Sequence, residues 1–231
     1  MLNNKSIVST IYYTLSKAYG PQQWWPADSK IEIVVGAILT QSCAWKNVEK
    51  ALKNLKDAEV LSIHGLMQVD ILILSNLIRS SGYFNAKSKK LKAFAKYLYD
   101  NYDSNIETLF DQKVDVLRAE LLKIYGIGDE TADDIILYAA GKPSFIIDNY
   151  TRRIIGRLNI FDTSKKYKGF QSMFHLNLPR DSDIFNEYHA LLVIHGQKTC
   201  KKTEPLCSSC CLLHLCPTGN SMTKIAHLRC P

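Results

Sequence analysis

The fold of this chain is decided by one internal stretch, Leu121-Leu122-Lys123-Ile124-Tyr125-Gly126-Ile127-Gly128-Asp129-Glu130-Thr131-Ala132. Two glycines flank one apolar residue, so Gly126, Ile127 and Gly128 predict a tight hairpin between two helices. The second helix begins with its free backbone amides directed outward, which suits a phosphate, and the carbonyls of the turn are candidates to hold a monovalent cation. Because a lone Gly-x-Gly is a weak signal, an ordinary helix–helix turn remains the alternative.

Apolar residues recur three and four positions apart on both sides of this hairpin, which is the spacing of amphipathic helices. The spacing is seen, for example, at Leu52 and Leu55, at Leu91, Phe94 and Leu98, and at Leu117 and Leu121. Glycine, proline and polar breaks separate helices of about 8 to 16 residues. No flexible linker divides the chain. The sequence therefore predicts an all-α protein of two closely packed helical lobes.

The composition is that of an ordinary globular protein. The 231 residues are 46% hydrophobic and 22% charged, enough for one large core or two modest ones. No secretory signal follows Met1, and the most apolar run, 69–78, is too short and polar to span a bilayer, so we expect a cytoplasmic or nucleoid location and no membrane partner. The formal charge of +7 favours a polyanionic partner such as nucleic acid.

Four cysteines near the C-terminus follow a Cys-x6-Cys-x2-Cys-x5-Cys pattern at Cys200, Cys207, Cys210 and Cys216. A backbone segment this short can loop round one small inorganic group and direct the thiolates inward, which predicts a metal centre. A reducing compartment disfavours disulfides between them. Zinc and an iron–sulfur cluster both accept four thiolates, so the spacing leaves the metal open.

A second motif, Ile146-Ile147-Asp148-Asn149-Tyr150-Thr151-Arg152-Arg153, follows the hairpin helix. Together the two segments resemble the helix-hairpin-helix DNA glycosylases of the endonuclease III superfamily. That family has a catalytic aspartate in a Val/Ile-Asp-x-x-x-x-Arg setting, and the resemblance assigns this role to Asp148. A fixed carboxylate stabilises the oxocarbenium character that develops as a base leaves its sugar, and it orients or deprotonates the attacking water. The alternative is that Asp148 is only the N-cap of the following helix.

The resemblance covers nearly the whole chain, because the cysteine spacing is also that of the family's iron–sulfur loop. It implies a [4Fe-4S] cluster on the four cysteines, with Cys43, Cys211 and Cys230 as non-ligands. It also implies a discontinuous cluster domain, residues 1–27 and 138–231, around a six-helix domain with the helix-hairpin-helix motif at 28–137. The expected partner is double-stranded DNA that contains a damaged base, bound by a monomer.

One residue departs from the bifunctional members of that family. Two residues after the second hairpin glycine, those members carry a lysine that forms a Schiff base with the sugar and leads to strand cleavage. This chain has Glu130 there, and a carboxylate cannot form the imine. We therefore expect a monofunctional glycosylase that leaves an abasic site.

The adenine glycosylases of the superfamily also lack the lysine, but they need an acidic residue on the helix before Gln41. This helix has no acidic residue at 34–40.

The N-terminal part resembles the endonuclease III-related 3-methyladenine glycosylases, through Trp24-Trp25-Pro26, Val35-Gly36-Ala37-Ile38-Leu39-Thr40-Gln41 and Ala44-Trp45. That resemblance implies a base pocket formed by Trp24, Trp25, Pro26 and Trp45. Indole faces stack well on the positive charge of an N-alkylated purine. Ordinary core packing is the alternative for each tryptophan taken singly.

Further DNA contacts follow from the same resemblance. Gln41 is expected to fill the gap left by a flipped base, or else to cap a buried helix end. The segment 81–87 is expected to be a second DNA-facing loop, with Tyr83 or Phe84 as a wedge, or else a plain helix–helix turn. Arg152, Lys201 and Lys202 are expected to face the phosphate backbone, the two lysines alternatively belonging to a solvated loop.

Three functions remain in view. The first is excision of alkylated purines of the 3-methyladenine type by base flipping and aspartate-assisted hydrolysis. The second keeps this chemistry but acts on oxidised, deaminated or mismatched pyrimidines. The third, motivated by Glu130, is a DNA-binding relative without catalysis.

Overall fold

The computed structural model of the protein describes residues 4–228, and these residues form helices, turns and loops without a β-strand. The all-α prediction is therefore confirmed for the described chain. The chain divides into a terminal unit, made of the residues up to Trp24 and those from Phe145 onward, and an inserted unit, Trp25–Ser144. Among the described residues, no helix combines the length and apolar character needed to cross a bilayer.

The terminal unit is built from five α-helices. They are α1 (Asn4–Tyr19), α10 (Asn149–Leu158), α11 (Tyr167–Asn177), α12 (Ser182–Lys198) and α13 (Pro217–Leu228). Helix α12 packs against both α1 and α10. In the core, the rings of Phe145 and Phe174 stack with centroids 3.8 Å apart, and the buried Tyr188 hydroxyl donates to the Val8 carbonyl at 2.9 Å. Two 3₁₀ turns, Cys207–Ser209 and Leu213–Leu215, shape the cysteine loop.

The inserted unit holds eight α-helices. They are α2 (Lys30–Leu39), α3 (Trp45–Asp57), α4 (Ile63–Gln68), α5 (Ile71–Leu77), α6 (Phe84–Tyr102), α7 (Ile106–Phe110), α8 (Val114–Leu122) and α9 (Asp129–Asp134). A 3₁₀ turn at Arg79–Ser81 precedes α6, and a π-helical turn at Ile135–Ala139 continues α9. Helix α2 lies at the centre of this unit: it is almost wholly buried from Val34 to Leu39 and packs on α3, α6 and α9.

The inserted unit, Trp25–Ser144, begins three residues before and ends seven residues after the 28–137 expected from the sequence. At its start, Trp25 packs against α2. At its end, the Ser144 hydroxyl donates to the buried Asp133 carboxylate at 2.6 Å. Both flanking residues are therefore held by the core of this unit.

Candidate functional site

Asp148 lies at the start of α10 and is its N-cap. Its backbone is extended, and its Oδ1 accepts a hydrogen bond from the Thr151 amide at 2.7 Å. The side chain is 13% exposed, so the carboxylate is largely desolvated but still reachable. The capping alternative is thus a structural fact. It does not exclude a catalytic role, because Oδ2 takes no part in the cap.

A buried histidine faces the other carboxylate oxygen. His189, on α12, places its Nε2 3.8 Å from Asp148 Oδ2. Burial lowers the pKa of His189, while the neighbouring Asp148 charge acts in the opposite sense. The imidazole is therefore held mainly in its neutral form near neutral pH. No motif in the sequence pointed to His189, which lies inside the mixed polar and apolar helix α12.

The helix that begins at Asp148 also holds the cysteine loop. Arg153 Nε donates to the Cys200 carbonyl at 2.8 Å, and its Nη2 donates to the Gly196 carbonyl at 2.9 Å. One turn further on, Arg157 Nη1 donates to Cys200 Sγ at 3.2 Å and to the Lys201 carbonyl at 2.7 Å. The candidate catalytic residue and the cysteine loop are thus attached to one short helix.

The four predicted ligands line one small cavity. Its walls include Cys200, Cys207, Cys210 and Cys216, but not Cys211. Within the described residues, no three His, Cys, Asp or Glu side chains converge on a point that a single metal ion would fill. Cys43 lies in the other unit, and Cys230 lies outside the described residues.

The thiols of this cavity are harder to ionise than free cysteines. Burial raises the pKa of the Cys210 thiol to about 11, and burial also raises the pKa of Cys207, with neighbouring cysteines adding to both effects. Crowded thiolates need a compensating positive charge, which a metal centre supplies. The Gly219 amide and Arg157 donate to Cys216 and Cys200, and such N–H···S bonds commonly surround iron–sulfur clusters.

In the inserted unit, aromatic residues gather at α2. The rings of Trp25 and Trp45 meet edge to face with centroids 5.0 Å apart, and Tyr138 lies 5.2 Å from Trp25. Both tryptophans are half-buried, and Trp45 Nε1 donates to Glu49 at 2.9 Å. Trp25 packs so tightly on α2 that a Cβ at Gly36 would lie 2.8 Å from its ring. The structure therefore brings Trp25 and Trp45 together and adds Tyr138, whose place in a helix gave no sign of this contact.

The other two pocket candidates are Trp24 and Pro26. Trp24 is half-buried and is counted with the terminal unit, whereas Pro26 is exposed at the start of the inserted unit.

The hairpin has the predicted shape, but its two glycines differ. Gly126 has φ +85°, which residues with a side chain rarely adopt, and a Cβ there would be 2.3 Å from Cγ of Lys90, so any other residue would be strained. Gly128 is extended with open space around it, and it serves as the residue before α9. The Ile127 side chain is buried, so only its backbone can face a ligand. Tyr125, an aromatic residue of this turn, is 63% exposed, which no pattern in the sequence indicated.

Gln41 is held by the hairpin. Its Nε2 donates to the Gly126 carbonyl at 3.1 Å and to the Thr131 hydroxyl at 2.9 Å, and Lys90 Nζ donates to its Oε1 at 2.5 Å. In this state Gln41 links the end of α2 to the turn. To enter a DNA duplex it would have to exchange these bonds for others.

The other predicted DNA contacts differ in exposure. Tyr83 is 75% exposed in a left-handed conformation before α6, whereas Phe84 packs against the core beneath the Arg79 guanidinium. Of the two aromatic side chains, Tyr83 is therefore the one that is open to solvent. Lys201 and Lys202 are exposed, as is Glu130, the second residue of α9.

Arg152 is already engaged within its unit. It donates to the Lys165 carbonyl at 3.2 Å and lies over the Phe170 ring, 5.0 Å from its centroid. To bind a phosphate, the guanidinium would either use its remaining N–H groups or give up these contacts.

Comparison with solved structures identifies the fold. Endonuclease III in a non-covalent complex with DNA superposes with a TM-score of 0.83 at 23% identity, over 97% of this chain and 100% of that one. The H. pylori 3-methyladenine DNA glycosylase bound to 1,N6-ethenoadenine superposes with a TM-score of 0.73 at 24% identity, over 85% and 98% of the two chains. The fold is that of the endonuclease III-like DNA glycosylases.

Sequence comparison gives the family. Residues 35–180 match the model of the HhH-GPD superfamily base excision DNA repair proteins. A protein of Methanocaldococcus jannaschii that carries the provisional name DNA repair glycosylase is 44% identical over 93% of this chain and 97% of its own length. Endonuclease III of Sulfolobus acidocaldarius is 34% identical over 79% of both chains. The chain belongs to the HhH-GPD superfamily, and it is a base excision DNA repair glycosylase of the endonuclease III type.

Proposed function

We propose that this protein is a monofunctional glycosylase that releases alkylated purines of the 3-methyladenine type from duplex DNA. The observation that carries the proposal is the aromatic trio of Trp25, Trp45 and Tyr138, held against α2 at Gly36. An N-alkylated purine carries positive charge, and electron-rich rings attract a cationic base more than a neutral one. The likeness to a 3-methyladenine glycosylase with a modified adenine bound supports the same substrate class.

In this proposal, Asp148 is the catalytic residue. The bond between the sugar C1′ and the base breaks, and its electron pair leaves with the base, which departs as a neutral purine because it was cationic before. The carboxylate stabilises the positive charge left on the sugar and accepts a proton from the water that adds to C1′. The cap from Thr151 fixes Oδ1, and the Oδ2 atom near His189 takes no part in that cap.

Glu130 is the basis for the monofunctional assignment. It is an exposed carboxylate at the position of the Schiff-base lysine of bifunctional relatives, and it offers no amine nucleophile. The product is an intact strand with an abasic site.

We assign a [4Fe-4S] cluster to Cys200, Cys207, Cys210 and Cys216. All four cysteines line one cavity, and their spacing is that of the iron–sulfur loop of the endonuclease III family, which supports the cluster over a single zinc ion. The cluster supplies a structural centre for the loop, and no step of the reaction passes through it. Lys201 and Lys202, on the same loop, then contribute positive charge toward DNA phosphates.

The proposed duplex contacts lie mainly in the inserted unit. The hairpin at Gly126, Ile127 and Gly128 offers backbone amides to a phosphate, Gln41 fills the place of the flipped base, and Tyr83 is the wedge. Arg152 of the terminal unit adds a phosphate contact. A monovalent cation at the hairpin and a monomeric state remain predictions.

A second candidate is an activity on oxidised, deaminated or mismatched pyrimidines, which the identity to an endonuclease III favours. A panel of duplexes that each carry one lesion separates the two. Release of 3-methyladenine with no release of pyrimidine lesions supports the first, and the reverse supports the second. Binding of every duplex without base release would indicate a catalytically silent relative.

A further inference from the structure

Lys87 is a buried lysine within the inserted unit. Only 2% of it is exposed, and its Nζ donates to the carbonyl of Leu39 at 2.8 Å and to that of Ser81 at 2.6 Å. Burial lowers its pKa. A lysine is rarely kept inside a core without a partner carboxylate, so its position calls for a specific reason.

The two carbonyls that Lys87 binds have a common place in the fold. Leu39 is the last residue of α2, and Ser81 is the last residue of the 3₁₀ turn before α6. Carbonyls at a helix end lack partners within the helix and carry partial negative charge, so an amine that reaches both ends satisfies both. Lys87 thus joins two helix ends that are far apart in sequence.

Each of these ends leads directly into a turn proposed to contact DNA. Thr40 and Gln41 follow Leu39, and Gly82 and Tyr83 follow Ser81. Gly82 and Tyr83 both have positive φ, 66° and 44°. The shape of the second turn therefore depends on contacts such as the hydrogen bond from Lys87 to the Ser81 carbonyl. One turn along α6 from Lys87, Lys90 binds Gln41 itself.

We propose that Lys87 is a positioning residue that holds the Gln41 turn and the Tyr83 turn in a fixed relation, so that both enter the duplex around a flipped nucleotide. This inference rests on the proposed function of the two turns but not on which lesion is excised. Lys87 touches neither the base nor the sugar. It acts only through the backbone carbonyls at the base of each turn.

The chain offers a matched control on the same helix. Lys92 also donates to two backbone carbonyls, those of Met67, at 2.8 Å, and Val69, and burial lowers its pKa as well. Those carbonyls belong to the end of α4, which carries none of the proposed DNA contacts. Lys87→Met and Lys92→Met therefore remove the same kind of interaction and differ in what it supports.

The test compares binding of a duplex with an abasic-site analogue to binding of the same duplex undamaged, because the analogue offers a gap without requiring base release. We expect Lys87→Met to lower this preference by about tenfold or more, and Lys92→Met to change it by less than about twofold. Hydrogen exchange should rise at 40–43 and 81–84 in the first variant and at 66–70 in the second. If the wild type prefers the analogue and the two variants show the same preference as each other, the inference is overturned. A wild type with no preference for the analogue would instead count against the proposed function.

Discussion

The indole of Trp25 lies against the backbone of α2 at Gly36, where an added Cβ would be 2.8 Å from ring atom Cζ2. Gly36→Ala should therefore displace the ring and cost about 1–3 kcal/mol of stability, the usual range for overpacking. We expect release of 3-methyladenine to fall by about tenfold or more, because the stacking surface is misplaced. Release at saturating enzyme and urea unfolding measure the two effects.

Gly169→Ala is the matched control for this prediction. Gly169 is an exposed helical glycine whose added Cβ would make only an ordinary contact, 3.5 Å from Lys165. Its replacement should stabilise the helix by up to about 1 kcal/mol and leave base release unchanged. Equal behaviour of the two alanine variants would mean that the Trp25 contact has no role in the activity.

His189 should make the stability depend on pH. Because burial lowers its pKa in the folded protein, the unfolded chain binds the proton more readily, and the stabilising contribution is lost as pH falls below the unfolded value of about 6.5. When the pH is lowered from about 7 to about 5.5, the free energy of unfolding of the wild type should fall by up to about 1 kcal/mol more than that of His189→Gln. Urea unfolding at the two pH values tests this, and identical losses in the two proteins would contradict it.

Adjacent cysteines should differ in their effect on the cluster. Cys210 lines the cavity and Cys211 does not. Cys210→Ala should lose most of its iron, whereas Cys211→Ala should keep about four irons per chain. Elemental analysis of the purified proteins measures this. Zinc in place of iron in the wild type, or iron loss in both variants, would refute the assignment.

With Glu130 in place of the Schiff-base lysine, the protein should release bases without cleaving the strand. The wild type should form no covalent adduct when borohydride is added during turnover, since no amine attacks the sugar. Glu130→Lys should form one, and Glu130→Gln should not. An adduct with the wild type would show that another amine serves as nucleophile and would remove the monofunctional assignment.

The sequence predicts the framework of this protein better than its buried polar contacts. Gly126 predicts the hairpin because residues with a side chain rarely adopt its φ, and helical spacing predicts the helices. Lys87 and His189 could not be found in this way. A lysine on a helix is usually solvated, and only the packing of α6 against the ends of two other helices shows that Lys87 is buried. Tyr138 likewise reaches Trp25 only through tertiary packing.

The central claim is that Asp148 performs hydrolysis and does not merely cap α10. Asp148→Asn separates the two roles, because the amide oxygen still accepts the Thr151 hydrogen bond while the negative charge is lost. The measurement is release of 3-methyladenine from methylated duplex DNA, with strand breaks scored before and after alkali. We predict release by the wild type with breaks only after alkali, and a loss of at least about 10²-fold in a normally folded Asp148→Asn protein. Release at the wild-type rate by that variant would contradict the account.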